Sequence, residues 1–184
     1  DCVIFNQFDE FGNPTWHYNV TARAIEEVYN KLKGPKSQLA AYVSATGSAG
    51  TIAAGDYLRT IAPHIKVVAS EALQCPTLLA NGFGGHRIEG IGDKHVPWVH
   101  NVKNTDVVTA IDDEDCMRVM RLFNEKDGQE YLKKNGVPQE TIDQLNLIGI
   151  SGIGNVLSAI KTAKHFEMTS DDIIFSLATD SMEM

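Results

Sequence analysis

Leu39-Ala40-Ala41-Tyr42-Val43 runs through Ser44-Ala45 into Thr46-Gly47-Ser48-Ala49-Gly50-Thr51. Five consecutive apolar residues, bounded upstream by Lys36-Ser37, predict a short strand covered on both faces, the pattern of a parallel sheet. The small-residue turn after it opens a helix through about Thr60, and Ile65-Lys66-Val67-Val68-Ala69 reads as the partner strand of a βαβ unit. Upstream, Ala22, Ile25, Val28, Tyr29 and Leu32 recur at helical spacing between Thr21 and Lys33, and Gly34-Pro35 stops that helix. Before it, Asn6 to Pro14 reads as a structured loop, preceded by the short apolar Val3-Ile4-Phe5.

Downstream, Glu71 to Asn104 is rich in Gly, His and Pro without a clean period, as functional loops often are. Val107-Val108-Thr109-Ala110 is a further strand. Asp112 and Asp113 are N-cap candidates for a helix that turns Cys116, Val119, Met120 and Phe123 inward. Gly128 to Asn146 reads as a polar surface excursion. A second small-residue turn, Ser151-Gly152-Ile153-Gly154, opens a helix with Ile153, Val156, Leu157 and Ile160 on one face, and Asp172 to Ala178 supplies a last strand. Strands alternating with helices define an α/β fold, a three-layer sandwich with a mostly parallel sheet flanked by helices.

The 184 residues suit one domain, in which roughly 70% of the extended-chain surface can be buried. Hydrophobic residues at 43% and charged residues at 22% are ordinary globular usage. A formal charge of −8 argues against nucleic acid or an anionic membrane as partner, since no net positive field draws phosphates in. No apolar run approaches the about 18 residues of a membrane span. Cys2, Cys75 and Cys116 form no CxxC pair, so a reducing, cytoplasmic setting is expected.

The turn from Gly47 to Thr51 has the composition an anion cradle needs. Glycine and alanine let the backbone approach closely, successive N–H groups converge, and a helix N-terminus adds its dipole. Ser48 and Thr51 could add hydroxyl bonds, each charge-assisted bond being worth about 1.5–3 kcal/mol. A tight turn whose small residues serve packing alone is the competing reading. Neither a Walker A loop nor GxGxxG is present, and Gly149-Ile150-Ser151-Gly152-Ile153-Gly154 has the wrong spacing for a dinucleotide fingerprint. Ser151 stands where a helix begins, the position of an N-cap. His86, His95, His100 and Asp93 match no metal-ligand spacing, so no metal is expected. Cys116 reads as a core residue and His17 as packed and hydrogen-bonded.

Several of these segments together resemble one family. Asn6-Gln7-Phe8, Asn13-Pro14, His17-Tyr18 and Thr21 are similar, in order, to the segment that precedes the phosphate loop of cysteine synthases and cystathionine β-synthases. Gly47-Ser48-Ala49-Gly50-Thr51 resembles that family's GTGGT loop, and Val67-Val68-Ala69-Ser70-Glu71-Ala72 its following strand and acidic residue. Gly90-Ile91-Gly92, Val96-Pro97 and Gly149-Ile150-Ser151 follow in family order. The chain is identified as similar to this family of pyridoxal 5′-phosphate enzymes, in the tryptophan synthase β superfamily (fold type II). Residues 1–184 would be the large, C-terminal-side domain, a piece lacking the small domain and the upstream segment that carries the Schiff-base lysine.

The resemblance implies pyridoxal 5′-phosphate as cofactor, its phosphate held by Gly47, Ser48, Ala49, Gly50 and Thr51 and its pyridine nitrogen met by Ser151. A hydroxyl there, unlike a carboxylate, is expected to leave that nitrogen largely unprotonated. Gly92 would let a substrate-side loop approach a small amino acid. The implied activity is β-elimination and β-replacement on serine or an O-activated serine, as a transferase or lyase of cysteine biosynthesis. A dehydratase or ammonia-lyase of a small amino acid is the alternative, and a non-catalytic scaffold a third. Homodimers are implied by the family. The family's Thr-Gly in the phosphate loop is Ser48-Ala49 here, and Gly152 replaces a small polar residue or alanine, which bears on the leaving group and nucleophile. None of the chain's lysines sits in a Schiff-base context, so no catalytic residue is identifiable within it and the chain alone is expected to be inactive.

Overall fold

Every position of the strand β1 (Gln38–Ala45) between its two end residues is buried, as a central strand sandwiched between two helical layers requires. The computed structural model describes residues 2–182. Ahead of β1, the helix α1 (Gly12–Trp16) passes through a π turn, His17–Thr21, into α2 (Ala22–Leu32). The helix therefore begins nine residues before Thr21, inside the stretch read as a loop. Pro14 is its third residue, where the missing N–H costs no helical bond.

After β1, a 3₁₀ turn (Thr51–Ala53) leads to α3 (Ala54–Ile61), then β2 (Lys66–Ala72) and a single helical turn α4 (Thr77–Ala80). The long loop ends at β3 (Val107–Ile111), followed by α5 (Asp113–Asn124), α6 (Lys126–Lys134), the short α7 (Gln139–Ile142), α8 (Ile150–His165) and β4 (Asp172–Phe175). Asp112 caps α5, accepting the Glu114 N–H at 2.8 Å. β4 is shorter than expected because the chain beyond Phe175 is held by side chains rather than by strand pairing.

Among the described residues the four strands are all parallel, in the order β3-β2-β1-β4. The chain winds from β1 through β2 to β3 in one direction and places β4 on the other side of β1. The sheet thus changes winding direction between β1 and β4, and an open α/β sheet forms its ligand crevice outside the carboxyl ends of such a strand pair. One face carries Tyr42 and Val67 against Ala22 and Ile25 of α2 and Leu58 of α3. Near the other face, Ile111 and Ala72 join Cys116 and Met117 of α5 and Ile153 of α8. Among the described residues no helix is long and apolar enough to cross a membrane.

α8 departs from the expected apolar stripe. Its buried residues include Ser151, Gly152, Gly154, Asn155, Ser158 and Thr162, while Ile160 is half exposed. The small side chains bring the helix close to the sheet, and hydrogen bonds compensate the buried polar atoms. The Ser158 and Thr109 hydroxyls bond each other, and Thr162 Oγ1 donates to the Ser158 carbonyl at 2.8 Å. On the opposite face Gly55 does the same service for α3, since a Cβ there would stand 2.7 Å from Val67 Cγ1. Replacing Gly55 with Leu is expected to destabilise the fold by about 1–3 kcal/mol through overpacking, read as a lower urea midpoint at unchanged m-value.

Candidate functional site

β1 and β4 pair as far as Tyr42 and Phe175 and then separate. Ser176 Oγ donates to the Val43 carbonyl at 2.8 Å. One step further, Asn155 of α8 spans the gap. Its Oδ1 accepts the Ala45 N–H at 2.7 Å and its Nδ2 donates to the Leu177 carbonyl at 2.9 Å. The crevice that opens there is a cavity of about 230 Å³.

One wall is the Gly47–Thr51 turn. Ala49 has φ 59°, in the left-handed region, and Gly50 follows in the right-handed helical region, the alternation that turns consecutive N–H groups inward. Among the described residues, no hydrogen bond uses the main-chain N–H of Ser48, Ala49, Gly50 or Thr51, and no side chain caps the 3₁₀ turn they open. Ser48 Oγ accepts from Gln7 Nε2 at 2.9 Å and from Asn13 Nδ2 at 3.0 Å. With its lone pairs engaged by two amides, the hydroxyl proton is free to donate to a ligand. Thr51 is committed to the scaffold instead. Its Oγ1 lies 2.7 Å from Ser44 Oγ, and its carbonyl accepts the Tyr42 hydroxyl at 2.8 Å. Burial pushes that phenol well above its ordinary value, so it stays a donor.

Ser151 stands on the same cavity's wall with Asn155, Leu177 and Thr179. It is the second residue of α8 and not its N-cap, a place held by Gly149. Its hydroxyl donates to Asp180 Oδ1 at 2.7 Å and lies 3.0 Å from Thr179 Oγ1.

The structure thus brings Gly47, Ser48, Ala49, Gly50, Thr51 and Ser151 to one cavity. Gly92 lies elsewhere. Its φ of +83° demands glycine, and its N–H donates to the Thr46 carbonyl at 2.7 Å. It faces a smaller crevice beside Glu71, His95 and His100, and from its loop Gly90 and Ile91 reach the main cavity. Glu71 is structural there, its two carboxylate oxygens accepting the Leu78 and Leu79 N–H groups at 2.9 Å each. His17 lines the main cavity, its Nδ1 2.8 Å from Thr21 Oγ1, and burial lowers its affinity for a proton. Sequence reasoning missed Gln7, Asn13, Asn155, Thr179 and Asp180 as site residues. The first two fall within the quoted Asn6-Gln7-Phe8 and Asn13-Pro14 segments, whereas nothing local marks the other three.

No family model matches the chain. Its homologues include proteins named cysteine synthase and cystathionine β-synthase. Cysteine synthase B of Campylobacter jejuni is 27% identical over 181 residues, covering 98% of this chain and 52% of that protein. Cystathionine beta-synthase of Saccharomyces cerevisiae is 27% identical over 98% of this chain and 33% of that protein. A hydrogen sulfide-producing enzyme of Fusobacterium nucleatum superposes with a TM-score of 0.75 at 26% identity, covering 97% of this chain and 52% of that one. The chain spans about half the length of the first of these curated relatives.

Two outcomes follow from the geometry. Left-handed alanine is strained by about 1–2 kcal/mol, but the Ala49 methyl is buried and glycine loosens the unfolded chain, so Ala49→Gly is expected to leave stability within about 1 kcal/mol of the original in urea unfolding. Burial lowers the folded-state values of both His17 and His100, so the unfolded chain binds more protons just below pH 6.5. The contribution of these two histidines to stability is complete above that pH and declines as pH falls through it. His17→Gln is expected to flatten the decline between pH 7.5 and 5.5, measured by urea midpoints.

Proposed function

We propose that this chain forms the phosphate- and ring-binding half of a pyridoxal 5′-phosphate enzyme that carries out β-replacement on serine or an O-activated serine. The observation that carries the reading is the cavity at the β1/β4 divide, with a cradle of unengaged main-chain N–H groups on its wall and Ser151 lining it too. The residues fit the cofactor. The cradle offers donors alone to a phosphate, and Gly50 leaves the space in which Asn13 sits, a Cβ there lying 2.3 Å from Asn13 Oδ1. The names of the relatives support the same reading, and cysteine and cystathionine are both products of exchanging a substituent on the β-carbon of serine.

In this reading Ser48 to Thr51 bind the phosphate, with the Ser48 hydroxyl directed by Gln7 and Asn13, and Ser151 meets the ring nitrogen. When bound, the cofactor supplies an electron sink for cleavage at the α- and β-carbons of an amino acid. The chain's own part is to anchor and orient. The cradle fixes the ring's position, the Gly90-Ile91 backbone borders the space beside it, and His17 stays neutral in the cavity wall. Among the described residues no lysine lines the cavity, so in this reading the covalent attachment is assigned to sequence outside this chain. The small amino-acid substrate, a homodimeric assembly and a cytoplasmic setting belong to the same proposal. The name of the Fusobacterium neighbour favours a second reading, elimination that releases sulfide from a sulfur amino acid.

Titration with pyridoxal 5′-phosphate, followed by absorbance and by competition with inorganic phosphate, tests the cofactor reading. Gly50→Val drives the Asn13 side chain from its place and covers the N–H groups, and is expected to weaken binding by roughly 100-fold or more, the loss of at least two charge-assisted bonds. Unchanged affinity would end the assignment. In the full-length protein, supplying O-acetylserine with and without a thiol separates the reactions, since replacement yields a thioether and elimination a ketoacid and ammonia.

A further inference from the structure

Behind the loop whose Gly90 and Ile91 border the main cavity lies the smaller crevice, and its walls are tied in place. The Gly92 N–H donates to the Thr46 carbonyl at 2.7 Å, the Thr77 hydroxyl donates to the Asp93 carbonyl, and both Glu71 oxygens accept main-chain N–H groups. Gly92 also abuts His86, since a Cβ there would stand 2.7 Å from His86 Nε2. His100, on the same crevice, is held as firmly and is only 7% exposed. Its N–H donates to the Pro97 carbonyl and its carbonyl accepts the Val102 N–H, each at 3.0 Å, while its Nε2 lies 3.0 Å from Thr105 Oγ1. Its Nδ1 is buried, and among the described residues nothing bonds to it. A nitrogen in that position carries the full penalty of lost hydration, and neither the ring nor the walls are placed to relieve it.

We propose that this crevice binds one internal water molecule, hydrogen-bonded to His100 Nδ1, which acts as a spacer fixing the Gly92 loop from behind. Size and chemistry both select water. The crevice measures about 10 Å³, roughly room for a single water and for nothing larger. Glu71 on its wall, both of whose oxygens act as acceptors, disfavours an anion. Burial lowers the affinity of His100 for a proton, with Asp56 opposing, so the ring is neutral at pH 7.5 and one of its nitrogens bears the hydrogen. Where Nε2 donates to Thr105, Nδ1 offers a lone pair; where Nε2 accepts, Nδ1 offers an N–H. Water is donor and acceptor at once and satisfies either form, whereas a metal cation satisfies only the first. The Glu71 oxygens each keep a lone pair for the water's remaining hydrogen. The inference concerns the back of the loop and holds whether or not a cofactor occupies the main cavity.

A crystal structure of the wild-type protein at pH 7.5, at a resolution that shows ordered water, is the first test. The expected density is a single peak in the crevice, about 2.7–3.2 Å from His100 Nδ1. No peak, a protein group bonded to Nδ1, or a peak that thallium ions replace and that therefore belongs to a monovalent cation would each overturn the proposal. Solvent ¹⁷O relaxation counts long-lived internal waters in solution. His100→Phe, which keeps the bulk of the ring and removes its nitrogens, is expected to lower that count by one. It is also expected to speed hydrogen exchange at the Gly92 N–H by roughly tenfold, the effect of losing about one hydrogen bond behind the loop. An unchanged count overturns the site, and a lost water with unchanged Gly92 exchange overturns the role of spacer. Should His100→Phe fail to fold, the wild-type crystal structure decides the question by itself.

Discussion

The site exists because β1 and β4 part, and one buried amide makes the parting tolerable. Two parallel strands that diverge expose N–H and C=O groups inside the protein, each costing about 1–3 kcal/mol if left bare. Asn155, 4% exposed, supplies an acceptor to Ala45 and a donor to Leu177 at the point where pairing stops. A hydrophobic residue there would leave both groups bare, and the sheet would regain them only by closing the cleft. The cavity is a consequence of that substitution of side chain for strand.

The same constraint accounts for the composition of α8. A helix that places an amide between two strands must lie close to the sheet, and Ser151, Gly152, Gly154 and Ser158 are small enough to allow it. Gly152 has little room to spare, since a Cβ would stand 2.9 Å from Ile148 Cγ2. Close approach buries hydroxyls, and these find partners in Thr109, in Asp180 and in the helix's own carbonyls. Apolar packing in α8 is carried chiefly by Ile153, with Leu157 and Ile150 partly buried beside it.

This explains what the sequence made legible. The α/β class, the parallel β1 and β2, the Gly47–Thr51 turn and the capped α5 follow from local signals: an unbroken apolar run, small residues at a strand end, an aspartate before a helix. Those signals depend on neighbours a few residues away. The α1 start was lost because Pro14 reads as loop chemistry although it is also a first-turn residue. The buried face of α8 was misread because apolar periodicity marks a helix resting on side chains, whereas this one rests on hydrogen bonds. Gly92 and Gly90 stand two residues apart in the same motif, both at positive φ, and only the fold decides which faces the cavity. Asp180, 29 residues from Ser151, carries no local mark at all.

The two regions of the cavity wall are opposite in character. The turn after β1 offers donors without net charge, in a protein whose formal charge is −8. Attraction for a dianion must then come from short-range, oriented dipoles, which act only on a group already seated. Around Ser151 the cavity offers acceptors backed by a carboxylate. A ligand anionic at one end and able to hydrogen-bond at the other would be aligned by both contacts at once. Reversal would bring the anion toward the Asp180 carboxylate behind Ser151. Neutral groups at one contact and a carboxylate behind the other would suffice to orient such a ligand without a cationic side chain in the wall.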